Sequence, residues 1–294
     1  VELIDEGATI PFIARYRKEV TGSLNDEQLR ALSERLIYLR NLEEKKASVL
    51  ATIEEQGKLT DELKKQIGAA MTMVALEDLY RPYRPKRRTR ATIAKEKGLE
   101  PLAEILRAQE TTKTIEEEAA AFVDAEKGVE SVQDAIDGAK DILAEVYADD
   151  ADYRTKLRTM TKESGSLVAK AKDEDADSVY EMYYDFSEPI KKLVGHRILA
   201  INRGETEKFL TVKVEAPRQE ILLWLVKQII GNMKHDSASY LYEAITDSYD
   251  RLIAPSIERE IRNELTEKAE EGAISVFGKN LHQLLMQPPI SGQV

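Results

Sequence analysis

Leu29, Leu32, Leu36, Leu39 and Leu42 recur at steps of three and four residues. A strand cannot use that spacing, because its side chains alternate with period two. The stripe predicts a long amphipathic helix with one buried face. Asn25 followed by Gln28 supplies a capping pair to open it, and Gln56-Gly57 closes the helical region. Thr60 is placed to cap a second helix with Leu63, Ile67 and Met71 on its buried side. Helical patterning returns from residue 152, is broken at Ser164-Gly165-Ser166, and resumes after Pro217 over 221–230, 239–252 and 255 to about 285. With 14 glycines, 9 prolines and 6% aromatics in 294 residues, a β-rich fold is disfavoured. The expectation is a mainly α, multi-helix fold.

One stretch reads differently. Arg197-Ile-Leu-Ala-Ile-Asn202 and Lys208-Phe-Leu-Thr-Val-Lys-Val214 are rich in β-branched residues and flank Arg203-Gly204-Glu205, which predicts a single β-hairpin over about 197–214. Segment character divides the chain into 1–75 (helical, first part), 76–148 (a small helix-turn-helix-like domain) and 149–294 (helical, second part, with the hairpin). Val1 to Gly7 reads as the last turns of a helix capped by Gly7, and the run from Gln287-Pro288-Pro289 reads as linker. A fragment of a longer protein is therefore expected.

Charge is distributed unevenly. The net charge is −11, yet between Arg81 and Lys97 eight Lys or Arg stand against one acid, Glu96. Arg81, Arg84, Lys86, Arg87, Arg88 and Arg90 are candidate phosphate contacts, since each such contact releases condensed counterions. Arg can also hold a phosphate through two parallel hydrogen bonds. Tyr80 and Tyr83, interleaved with these cations, are candidates to stack on unpaired bases, Tyr83 lying closest to the patch. The alternative stays open. Residues 116–150 hold twelve acids against two lysines, so the cations can pair internally while the tyrosines pack on Pro82 and Pro85. Within the same segment, Ile93 to Leu99 resembles the first helix and turn of a helix-turn-helix, with small Ala94 at the contact and Gly98 free to take φ > 0. Lys97 and Glu104 fall where that motif is usually apolar, so a helical hairpin is expected and a major-groove reader is not. A second cluster, Arg15, Tyr16, Arg17 and Lys18 beside Glu19, reads either as an extension of the basic patch or as inter-helix ion pairing, the latter preferred.

Catalytic chemistry finds no foothold. Cysteine is absent, which removes disulfides and thiol chemistry and suits a reducing cytoplasm. His196, His235 and His282 stand far apart with no metal-ligating spacing, and the adjacent Glu77 and Asp78 point to different sides of a helix. No glycine-rich phosphate loop occurs. No enzyme activity, catalytic residue, metal or cofactor is expected. No apolar run reaches the roughly 18 residues of a membrane span, since 221–230 is interrupted by Lys227 and Gln228.

Four segments carry a family likeness: GATIPFIARYRKEVTGSL (7–24), LEDLYRPYRPKRRTRATIAKEKGLEPLA (76–103), SEPIKKLVGHRILAINRGE (187–205) and the run from Arg251 to Pro289. In this order they resemble the N-terminal region of the Tex family of bacterial transcription accessory proteins, which is similar to the core of a eukaryotic transcription elongation factor. The resemblance implies a helical N-terminal region with a helix-turn-helix-like unit. In full-length members an RNase H-like domain, helix-hairpin-helix elements and an OB-fold RNA-binding domain follow, and any carboxylate site would lie in the first of these. It further implies a non-enzymatic role in transcription, with sequence-independent contact to RNA or DNA as the leading reading. A scaffold for transcription or ribosomal machinery, without direct nucleic-acid contact, is the rival.

Overall fold

The computed structural model describes residues 1–85 and 87–287, and is mainly α-helical. Two compact units result, Val1–Pro85 and Lys86–Val294.

The first unit is organised by the expected long helix, Asp26–Glu55. Its capping box is complete: Gln28 N donates to Asn25 Oδ1 at 2.8 Å and Asn25 N to Gln28 Oε1 at 3.0 Å, satisfying two end groups that a helix otherwise leaves to water. Leu29 and Leu42 of the leucine stripe are buried, whereas Leu32 is exposed. The core begins at the end of the stripe, where Leu42 with Val49 and Ile53 meets Leu63, Ile67 and Leu76. Thr60 caps helix Asp61–Ala69 as expected. Met71 does not join its buried side: the helix ends before it and its side chain is exposed. Lys46 is buried and donates to Gly68 O at 3.0 Å and to Glu43 Oε1 at 2.8 Å, so a cation serves a free carbonyl in the last turn of that helix.

The second unit is built around helix Val132–Asp149, whose Ala135, Ile136, Ala139, Ile142, Leu143 and Tyr147 are buried. Helices Arg90–Glu96 and Glu100–Ala108 follow one another across a tight turn as expected, but each packs on the central helix rather than on the other, and Ala94 meets Gly138 of that helix instead of the second helix. At the turn Gly98 takes φ +82°, Gly98 N donates to Lys95 O at 2.9 Å and Leu99 N to Ala94 O at 3.1 Å. This is the Schellman arrangement that a residue without a Cβ closes at least cost.

Helix Ala151–Ser164 leads into an antiparallel three-stranded sheet of order β2-β1-β3, with β1 Ser166–Ala171, β2 Asp185–Pro189 and β3 Leu210–Glu215. Here the hairpin over 197–214 is corrected. Its second half is strand β3, with Leu210, Val212 and Val214 buried in alternation, but residues 197–202 lie within helix Gly195–Thr206. β3 pairs with β1 rather than with its sequence neighbour, and the helix crosses between the two outer strands, which run parallel to one another. Ile198, Ile201 and Gly204 are the buried positions of that helix, a three-residue step that the alternating pattern concealed. Gly204 is not a turn residue: a Cβ there would meet Leu210 Cδ1 at 2.7 Å and Tyr180 Cγ at 3.1 Å. The chain reverses at Lys208, φ +69°.

Helices Arg218–Ile229 and Ala238–Asp247 follow, then a π-helical segment, Ser248–Ile253, that runs into helix Ala254–Leu285. Pro255 explains the π turn. A proline has no N–H to donate and clashes with the carbonyl four residues back, and a wider turn ahead of it relieves both.

Candidate nucleic-acid interface

The residues that the sequence groups into one basic patch divide between the two units. In the first, helix Met73–Tyr80 passes directly into the 3₁₀ turn Arg81–Tyr83, with Pro82 fixing φ. Gln56 Nε2 donates to Tyr83 O at 2.8 Å, and Arg84 N to Tyr80 O at 3.0 Å. The rings of Tyr80 and Tyr83 pack against the Leu42–Leu76 core. That packing anchors the turn, leaving Arg81 half-buried and Arg84 exposed. The side chain of Arg84 is 66% exposed, with Nη1 3.8 Å from Glu77 Oε2. Glu77 also lies 3.7 Å from Lys45 Nζ, so one carboxylate is shared between two cations.

In the second unit Arg87 and Arg88 precede the N-cap Thr89. Arg88, 70% exposed, places Nη2 3.1 Å from Glu96 Oε2. Arg87 is exposed and forms no ion pair among the described residues. Arg90 lines a cleft of about 360 Å³ with Asp137, Asp141, Glu243 and Asp247. Burial pushes the Asp141 carboxyl up, and Arg251 and Arg90 oppose that shift. Thr89 Oγ1 donates to Glu145 Oε2 at 2.8 Å. The acidic helix therefore engages the basic segment at Thr89 through a hydrogen bond and at Arg90 only through space. Lys86 lies outside the described residues.

The two misfits to a helix-turn-helix pattern have local explanations. Lys97 Nζ reaches Gly128 O at 2.7 Å, closing the turn that precedes the central helix, and Glu104 pairs with Arg107 at 3.4 Å on an exposed face.

Other charge clusters were hidden in the sequence. Arg154, Arg158 and Lys162, spaced by four on helix Ala151–Ser164, face Glu260 and Glu264 on helix Ala254–Leu285. Arg154 Nη2 donates to Glu260 Oε1 at 2.7 Å and Arg158 Nε to Glu260 Oε2 at 2.9 Å. Burial alone would raise the Glu260 carboxyl, but the two guanidinium groups and Ser256 outweigh it and hold it below its ordinary range. The four-residue cation spacing was visible; its partners were not. Of the Arg15–Lys18 cluster, only Arg17 meets a carboxylate among the described residues, Glu19 of helix Lys18–Thr21 at 4.0 Å, so the preferred ion pairing is present at one long contact and does not extend to Arg15 or Lys18. Among the described residues, an apolar-lined cleft of about 890 Å³ runs beside Ile190, Leu193, Ile198, Leu265 and Phe277, and Ile274, Phe277, Leu281 and Leu284 form an exposed row at helical spacing.

Comparison with known proteins follows the same division. Residues 1–54 match the family model described as Tex-like protein N-terminal domain, and residues 110–277 that described as Tex central region-like. The basic residues 81–90 lie between the two. An uncharacterized Bacillus subtilis protein, YdcI, is 47% identical over 296 residues, covering 100% of this chain and 41% of the relative. The transcriptional accessory protein Tex of Neisseria gonorrhoeae is 42% identical over 297 residues, covering 98% and 39%. A human S1 RNA-binding domain-containing protein 1 is 33% identical over 310 residues, covering 100% and 31%. The chain thus spans about two fifths or less of the length of these relatives.

Proposed function

The chain belongs to the Tex family, and on that premise we propose that it is a non-enzymatic part of a cytoplasmic transcription accessory protein whose exposed Arg84, Arg87 and Arg88 contact the phosphate backbone of RNA or DNA. The observation that carries this reading is how weakly those guanidinium groups are held. Arg84 and Arg88 each meet one exposed carboxylate, at 3.8 and 3.1 Å, and Arg87 meets none among the described residues. Exposed pairs of this kind contribute about 0–1 kcal/mol, so a phosphate that accepts two hydrogen bonds from one guanidinium displaces them readily. Arg81 and Tyr83 lie in the first unit's turn, Arg90 is exposed and lines a cleft with Asp137 and Asp141 of the acidic helix without an ion pair among the described residues, and Lys86 adds charge to the same stretch of chain. Such contacts read no base identity. The class of partner is supported by two relatives, one named a transcriptional accessory protein and one an S1 RNA-binding domain-containing protein. No described helix is long and apolar enough to cross a membrane.

The test is titration of the chain with single- and double-stranded nucleic acid at several salt concentrations. Replacing Arg84, Arg87 and Arg88 together by Ala is expected to flatten the slope of log K against log salt by about 0.7–0.9 per lost contact. An unchanged slope refutes the phosphate role. A second reading, an interaction scaffold for transcription or ribosomal machinery, is favoured by the exposed row at Ile274, Phe277, Leu281 and Leu284. It predicts no nucleic-acid binding by the parent chain even at low salt.

A further inference from the structure

Helix Ile10–Tyr16 of the first unit is pinned by a single buried side chain, Ile13. Phe12, Arg15 and Tyr16 share a different face, at spacings of three and four residues. Phe12 is 45% and Tyr16 61% exposed, and their ring centroids lie 5.4 Å apart with planes inclined at 45°. Two adjacent rings left in water forgo the large apolar burial that aromatics normally supply to a core, and an exposed apolar patch of this kind marks a surface that something covers. Arg15, Arg17 and Lys18, the neighbours of Tyr16 in the chain, are all exposed. The one carboxylate contact of these cations among the described residues is Arg17–Glu19, at 4.0 Å. Aromatic faces with unneutralised cations beside them match a ligand that presents flat π surfaces and negative charge in alternation.

We infer that Phe12 and Tyr16, with Arg15 and Lys18, form a contact site for single-stranded nucleic acid, in which unpaired bases stack on the rings and the cations take the neighbouring phosphates. Bases inside a duplex are already stacked on one another and offer no free face, so the rings select single strands. An apolar protein partner would have to bury the same cations without a counter-charge, which is costly. The inference rests on reading the chain as nucleic-acid-associated, but it uses no residue between 81 and 90, and it adds a strand preference which that reading leaves open.

The experiment measures binding of the full 294-residue chain to oligo(dT) and oligo(U) of about 16 nucleotides, the upper end of single-strand site sizes, and to a duplex of equal length. Phe12→Ala with Tyr16→Ala is expected to weaken single-strand binding by about 5- to 100-fold, with duplex affinity unchanged. The salt slope also stays, because no charge is lost. Tyr16→Phe keeps the ring and is expected to keep the affinity. Tyr16→Trp provides a second readout, quenching of its fluorescence on oligonucleotide addition. Loss of single-strand and duplex binding in equal measure, single-strand binding within twofold of the parent, or no quenching at Trp overturns the site. If the Arg84/Arg87/Arg88 variant flattens the slope while the ring variant binds normally, the phosphate reading stands, this site falls, and the rings belong to a protein-docking surface. If the parent chain binds no nucleic acid at low salt, both fall.

Discussion

Gly138, on the helix Val132–Asp149, decides how closely the helices and turn of residues 90–108 can approach the centre of the second unit. A Cβ at this position would lie 2.3 Å from Leu99 Cδ1 and 3.3 Å from Ala94 Cβ. Leu99 is 1% exposed and Ala94 3%, so neither side chain has solvent to move into. Two opposed effects follow for Gly138→Ala. Alanine gains about 0.8–1.0 kcal/mol over glycine in a helix interior, while forcing a methyl into a filled core costs about 1–3 kcal/mol. The net expectation is a loss of about 0–2 kcal/mol, or about 2–4 °C in Tm per kcal/mol lost for a unit of this size. A small net value alone would be ambiguous, so the measurement is a double-mutant cycle with Leu99→Ala. That substitution costs about 2–5 kcal/mol by itself, but it removes the obstructing methyls. In its background the added Cβ occupies vacated space, and Gly138→Ala becomes stabilising by about 1 kcal/mol from helix propensity. The reversal of sign is the diagnostic. Urea unfolding followed by tryptophan fluorescence reads it directly, because the one tryptophan, Trp224, belongs to the second unit and packs edge-on against Tyr153 at 5.7 Å. Gly272→Ala, where a Cβ meets nothing within 4 Å, is the control and is expected to leave the midpoint unchanged or raised. A Gly138→Ala midpoint at or above the parent, with the same sign in both backgrounds, refutes the close packing.

Two further perturbations test the charge networks. Glu260→Gln removes a carboxylate held below its ordinary value of 4.5 by two guanidinium groups. A depressed folded-state pKa contributes stability that is present above that value and lost as pH falls through the folded one, so the variant is expected to be destabilised by about 2 kcal/mol at neutral pH, less than a fully buried pair, and to show a flatter stability curve below about pH 4.5; a parallel curve argues against the coupling. Lys46→Met deprives Gly68 O of its donor in the first unit and is expected to cost about 1–3 kcal/mol, read as faster amide hydrogen exchange in helix Asp61–Ala69, with unchanged exchange counting against the cap.

Legibility in this chain followed sequence separation. The capping box at Asn25 and Gln28, the cap at Thr60 and the turn at Gly98 each depend on residues within five positions, and each was readable. The helix Gly195–Thr206 was not. Its segment satisfies alternation and a three-residue step equally well, and the choice goes with the close packing of Tyr180 and Leu210 against Gly204. The same rule governs the candidate site. Charge density between Arg81 and Arg90 is a local property, but whether a guanidinium is available depends on carboxylates that density does not report. Arg90 shares a cleft with Asp137 and Asp141 from the acidic helix, while Arg154 and Arg158 are committed to a glutamate more than 100 positions away. A basic run therefore overstates its own capacity for a ligand by the number of cations that distant acids claim. The Arg15–Lys18 cluster is the reverse case: with Glu19 adjacent it looked neutralised, yet the geometry leaves that pair at 4.0 Å and the rings of Phe12 and Tyr16 uncovered. For an acidic protein with scattered cations, the residues to mutate first are those whose carboxylates are local and exposed, because only there does a phosphate compete on equal terms.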